Sequence, residues 1–221
     1  MPGWVKGLLT VLVATGLGAL SCFLLNLPWK LAANGPIDHG VAALVGACFG
    51  FLYGLEAGLL ISYDLGGIGW LQLIVDMTWS LPNTVWGFVL GNLIFPWIAS
   101  PSRAVSRDKG FIAYMPRGSG RFGTSVLQTH GTVNLGGAGQ HELVHVLQAR
   151  IFGPLFLPIY AVNYVINFLI QGLFTITIGM ILWRTGARDT PYFRPPAASV
   201  VGGFFGWIYY ATVFELWGYN S

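Results

Sequence analysis

The chain has 221 residues, of which 54% are apolar and only 9% charged, and its net charge is +3. Soluble domains carry roughly 25% charged residues, so this sequence cannot cover a globule with polar surface, and so apolar a composition equally excludes disorder. It also lacks the dense basic stripe of a nucleic-acid binder, which leaves an integral membrane protein in a lipid bilayer.

A transmembrane helix needs roughly 20 mostly apolar residues. Residues 7–27 carry no charge and form the first predicted span; the run is too long for a signal-peptide core, and no A-x-A cleavage site follows it. Lys30, Pro36 and Asp38 mark a loop over 28–39, and residues 40–62 form a second span interrupted by Glu56. After a turn at Asp64, Gly66 and Gly67, residues 68–99 make a tract too long for one span and short for two. The Pro82-Asn83 pair divides it into halves of about 14 and 17 residues, either two short or re-entrant segments or one kinked helix. Residues 156–183 and 197–217 are the last two spans. Cys22 and Cys48 lie in apolar runs and read as small buried hydrophobes rather than a disulfide.

Residues 100–150 hold six of the eleven basic residues, and the positive-inside tendency makes this segment cytoplasmic. The loop over 184–194, with three arginines one span away, pulls the other way. Within the segment, residues 111–115 and 122–135 read as two strands joined by Pro116, Gly118 and Gly120, a small β-hairpin. The predicted fold is an all-α polytopic membrane protein with five or six transmembrane helices, and with this hairpin and one polar helix between spans. Its organisation is residues 1–99 as N-terminal spans, 100–153 as a polar segment, and 154–221 as C-terminal spans.

The polar helix carries the chemistry. Gln140-His141-Glu142-Leu143-Val144-His145 contains an H-E-x-x-H motif, which in a chain with 4 histidines and 3 glutamates arises by chance about once in a thousand such sequences. On a helix His141 and His145 stack on one face and can turn toward one metal ion, while Glu142, about 100° round, is placed as a general base for the attacking water. Gln148 continues the histidine face. The Gly153-Pro154 pair stops the helix after about 14 residues, too few and too polar to span alone.

A catalytic zinc takes three protein ligands. Glu215 is the first candidate for the third, because it lies in an otherwise apolar span; Asp189 and His130 follow. Glu56 and Asp76 are further intramembrane carboxylates, suited to a second shell, to a proton or ion path, or to pairing within the bundle. Asn163, Asn167, Gln171 and Thr175 recur every four residues and form one polar face, for helix-to-helix hydrogen bonds or for a substrate cleft. Gly46, Gly50, Gly54 and Gly58 repeat at the same spacing and permit close helix contact.

At His141 to His145 the chain resembles the zincin metallopeptidases, and the setting among spans makes it similar to their membrane-embedded members. Site-2-type intramembrane proteases take a third ligand from an Asp-Gly motif, which this sequence lacks. Membrane gluzincins of the prenyl-protein-processing and heat-shock kind use a later E-x-x-x-D; here Glu215-Leu216-Trp217-Gly218-Tyr219 supplies the Glu without the Asp. The resemblance covers about 15 residues and implies Zn2+ held by His141 and His145, with Glu142 as base. It also implies that the strand over 122–135 receives an extended substrate by β-addition.

Three functions follow as expectations. The first is a zinc metallopeptidase acting on peptide or membrane-protein substrates in a bacterial inner membrane. The alternative is a non-catalytic subunit that uses the glycine stripe to pack within a larger, for example energy-transducing, complex. A transporter using Glu56 and Asp76 is a third.

Overall fold

A computed structural model of the protein describes residues 1–33, 37–98, 101–107, 109–116, 124–127, 133–135, 140–185, 208 and 211–219. Two compact units emerge, Met1–Pro154 and Leu155–Ser221. Among the described residues three helical stretches are long and apolar enough to cross a membrane: Gly3–Ala32, His39–Leu59 and Val144–Leu182. Most of the expected span over 197–217 lies outside the described residues.

The first unit opens with α1 (Gly3–Ala33) and α2 (His39–Leu59), and Asp38 caps α2 by accepting from the Gly40 N–H at 2.7 Å. The glycine stripe of α2 is buried against α1. A Cβ on Gly58 would stand 2.6 Å from the Gly7 carbonyl oxygen, one on Gly54 2.9 Å from the Val11 Cα, and others on Gly46 and Gly50 would collide with the Gly18 and Ala14 carbonyls. Lipid tails are as apolar as leucine, so helices in a bilayer gain by close backbone approach and small residues permit it. Cys22 faces Gly46 in this seam, while Cys48 is exposed on α2, a correction to its reading as buried; both thiols are free.

The tract after residue 67 breaks at 78–80 instead of at Pro82-Asn83. Helix α3 (Gly69–Met77) and helix α4 (Leu81–Val89) have 9 residues each, and Pro82 stands at the start of α4. A proline there costs nothing, since the first helical N–H groups have no partner within the helix. A π-helical turn, Leu90–Ile94, leads on to α5 (Phe95–Ile98).

Four strands follow: β1 (Pro101–Ser106), β2 (Phe111–Pro116), β3 (Thr124–Leu127) and β4 (Val133–Leu135), antiparallel in the order β1-β2-β3-β4. The single strand expected over 122–135 is two, with Thr124 opposite Leu135 and Val126 opposite Val133, and β1 joins as a further edge with Ala104 opposite Ala113. Strand β2 is buried on both faces. Its alternation places Phe111 and Ala113 against Val146, and Ile112 and Tyr114 against Leu60 and Leu90.

Helix α6 (Gln140–Phe152) carries the H-E-x-x-H motif and ends in a 3-10 turn, Gly153–Leu155. Gly153 has φ +53°, a left-handed conformation that glycine adopts without strain, and the Trp79 indole occupies the space where its Cβ would stand.

The second unit begins with α7 (Phe156–Phe174), runs through a π-helical turn, Thr175–Gly179, into α8 (Met180–Arg184), and includes α9 (Val213–Tyr219). Asn163 and Asn167 of the polar stripe bond toward α9: Asn163 Oδ1 accepts from the Val213 N–H at 2.8 Å, and Asn167 Nδ2 donates to Thr212 Oγ1 at 3.3 Å. Phe214 stacks on Tyr160, with ring centroids 5.8 Å apart.

Candidate functional site

His141 and Glu142 stand in the first turn of α6, and His145 lies one turn further on. His145 is 1% exposed, and its Nδ1 lies 2.8 Å from Oε1 of Gln148, itself fully buried. An amide oxygen only accepts, so in this contact Nδ1 is the donor, the kind of outer hydrogen bond that orients an imidazole which binds metal through its other nitrogen. The (i, i+3) spacing of the two residues along the helix makes this pairing local and cheap.

The second half of α6 is held by polar side chains from α3, the turn at 78–80 and α4. Arg150 forms a two-pronged ion pair with Asp76, Nε to Oδ1 at 2.8 Å and Nη2 to Oδ2 at 2.7 Å, and Asp76 is 0% exposed. The same guanidinium donates to the carbonyls of Lys109 at 2.7 Å and Gly110 at 2.9 Å, tying the β1-β2 turn to the motif helix. Tyr63 donates to Asp76 Oδ2 at 2.8 Å and also meets the Tyr53 hydroxyl. Burial, and then Asp76, push the Tyr63 hydroxyl well above its usual range, which keeps it protonated as a donor.

The last carbonyls of a helix have no partner within it and must find one elsewhere. Here Ser80 Oγ donates to the Ala149 carbonyl at 3.1 Å, Trp79 Nε1 to that of Ile151 at 3.1 Å, and Asn83 Nδ2 to that of Gly153 at 2.8 Å. Three side chains within five positions thus cap one helix end, and the short α3 and α4 bring them there.

Asp76 is therefore the buried partner of Arg150 among the roles its position in an apolar tract allowed. The sequence reading missed Arg150, Ser80, Asn83 and the two tyrosines. A signal existed: Arg150 is the one cation of α6 and Asp76 the one charge in the tract over 68–99, and two lone opposite charges in apolar surroundings neutralise each other.

Glu215 is 1% exposed at the start of α9, where its carboxylate accepts from the Tyr160 hydroxyl in the second unit. His130 and Asp189 lie outside the described residues. Among the described residues, no three His, Cys, Asp or Glu side chains stand together as a metal site.

Strand β4 is the last strand of the sheet and ends at Leu135, close in sequence to the start of α6 at Gln140. Glu56 accepts on Oε2 from Tyr114 at 2.6 Å and from Asn92 at 2.9 Å, on the side of β2 opposite Val146. No family model, no curated protein and no solved structure matches this chain.

Proposed function

We propose that the chain is a membrane-embedded zinc metallopeptidase that hydrolyses peptide bonds of peptides or membrane proteins, in a bacterial inner membrane. The observation that carries the reading is His145: buried on an H-E-x-x-H helix, with Nδ1 2.8 Å from the Gln148 amide oxygen, the kind of partner that orients a metal-binding imidazole. His141 and His145 are the two ligands the motif supplies, and Glu215 is the candidate that the sequence offers for the third. Zinc, when bound, supplies a Lewis acid for the scissile carbonyl. Glu142 takes the proton from the attacking water and returns it to the leaving amine. The edge position of β4 suits an extended substrate lying alongside it.

The rival reading, a subunit that packs through its glycine stripe, loses that stripe as support because α1 of the same chain covers it. Its discriminating test is enzymatic. Glu142→Gln in the purified full chain is expected to keep zinc at about one per chain and to lower hydrolysis of a quenched-fluorophore peptide library roughly 100-fold or more. Equal hydrolysis by wild type and Glu142→Gln would overturn the proposal.

A further inference from the structure

Contacts with α1 and α2 record how deeply the tract over 68–94 enters the bilayer. Its start lies at the Lys6 end of α1: Lys6 pairs with Asp64 at 2.8 Å, and the Gly69 N–H that opens α3 donates to the Asp64 carbonyl at 3.2 Å. Its deepest point is the end of α3, where the Met77 carbonyl accepts from Ser21 Oγ at 2.8 Å. Ser21 stands about 22 Å along α1 from Lys6 and about 13 Å short of Lys30. Exposed Trp4 and Trp29 beside these two lysines mark the edges of the apolar layer, as tryptophans do at lipid–water boundaries. The turn at 78–80 therefore lies inside the layer.

The return is recorded on α2, which climbs from Asp38 toward Asp64. Phe88 of α4 meets Phe49 and Tyr53, with ring centroids 5.6 and 6.4 Å away, and Leu90 packs with Leu60 on strand β2. The Asp64 N–H donates to the Arg107 carbonyl at 3.2 Å, which brings the β1-β2 turn to the Lys6 end as well. The turn at 78–80 also suits a place in hydrocarbon, where a break in a helix persists only if protein groups serve the freed backbone. Thr84 Oγ1 donates to the Asp76 carbonyl at 2.7 Å and to the Ser80 carbonyl at 3.2 Å, Ser21 serves Met77, and the Val75 carbonyl accepts from the Ser80 N–H at 2.8 Å.

We propose that residues 68–94 are a re-entrant hairpin that dips into the bilayer from the Lys6 face and returns to it, with Leu71, Ile74, Trp79 and Trp86 against lipid tails. These four side chains are exposed at the depth of the apolar stretches of α1 and α2. Two full spans would need the 78–80 turn at the Lys30 end, and one kinked span would need the β1-β2 turn there; the contacts hold both elsewhere. Among the described residues Lys6, Arg107 and Lys109 lie at the hairpin's face and Lys30 at the other, so the positive-inside tendency makes the hairpin's face cytoplasmic. The motif helix joins the sheet through Val146 and rests on the hairpin tip through Ser80, and it belongs to the cytoplasmic side with them. The hairpin holds whether or not α6 binds zinc.

The test is cysteine labelling of the full chain in the inner membrane of a bacterial host, with Cys22 and Cys48 replaced by alanine. A membrane-impermeant maleimide is applied to spheroplasts and to inside-out vesicles. Gly67→Cys, at an exposed position with open space around it, and Lys109→Cys, on the exposed β1-β2 turn, are expected to label in inside-out vesicles and to lose that labelling in spheroplasts. Lys30→Cys should show the reverse. Thr78→Cys should label in neither preparation and then label fully once the membrane is dissolved in denaturing detergent. Labelling of Gly67→Cys and Lys109→Cys from opposite faces, or of Thr78→Cys from the same face as Lys30→Cys, would overturn the hairpin. Labelling of both Gly67→Cys and Lys109→Cys in spheroplasts would overturn its cytoplasmic side.

Discussion

The first unit joins its helices in two opposite ways. Between α1 and α2 the glycines bring backbone to backbone along an apolar seam, with polar contact only toward its end, where Asn26 Nδ2 lies 3.1 Å from His39 Nδ1. Between α3, α4 and α6 the contact is made by an ion pair and by side chains that donate to carbonyls. The difference teaches what polarity is for in a chain this poor in it. Close packing is enough to hold two spans together, whereas a short helix carrying a histidine pair needs its end fixed, and hydrogen bonds fix direction as well as distance.

The largest expected effect breaks the polar joint. Asp76→Ala leaves the Arg150 guanidinium without its carboxylate and should cost about 3–5 kcal/mol, read as a lowered thermal unfolding midpoint in detergent. The double variant Asp76→Leu with Arg150→Met should recover most of that loss, because burying two charges offsets much of their attraction. A single variant no worse than the double would mean that the pair does not hold α6.

The apolar joint should yield less. Gly50→Leu drives a side chain into the Ala14 carbonyl and is expected to cost about 3 kcal/mol by overpacking, with no dependence on pH. Asn83→Ala removes a donor to two carbonyls at the end of α6 and should cost about 1–2 kcal/mol. The two losses should add when combined, since the seam and the clasp are separate joints.

The smallest effect lies at the surface. Asp64 and Lys6 meet at 2.8 Å, and the Lys6 hydrogen bond, then the Gly66 backbone, hold the Asp64 carboxyl below its ordinary 3.8. A carboxyl whose value is lowered on folding favours the fold above its ordinary value and loses that contribution as pH falls through the folded one. Asp64→Asn should therefore lower the unfolding midpoint slightly at neutral pH and not at all well below pH 3.8, and salt should shrink the difference.

The two long N-terminal helices and the motif helix were legible because their signals are local: an uncharged run, a four-residue spacing, a Gly-Pro stop. The glycine stripe is legible as a close helix contact, but not which helix it meets, and only the alternative reading as a subunit assigned it a partner in another chain. Small residues at Gly7, Ala14 and Gly18 in α1 were the complementary half of that pattern. Strand β1 was missed because Arg103 and a leading proline give it the look of a charged loop, and only pairing with β2 makes it a strand. The break at 78–80 and the Asp76–Arg150 pair were not legible from local pattern. The pair joins residues 74 apart, and no periodicity encodes which distant carboxylate an arginine meets.

The central claim is that α6 holds a metal. Zinc analysis of the purified full chain beside His145→Ala tests it most directly: the account predicts about one zinc per wild-type chain and at least a tenfold weaker hold in the variant. Wild-type protein that is folded and binds no zinc, or a variant that binds it equally well, would contradict it.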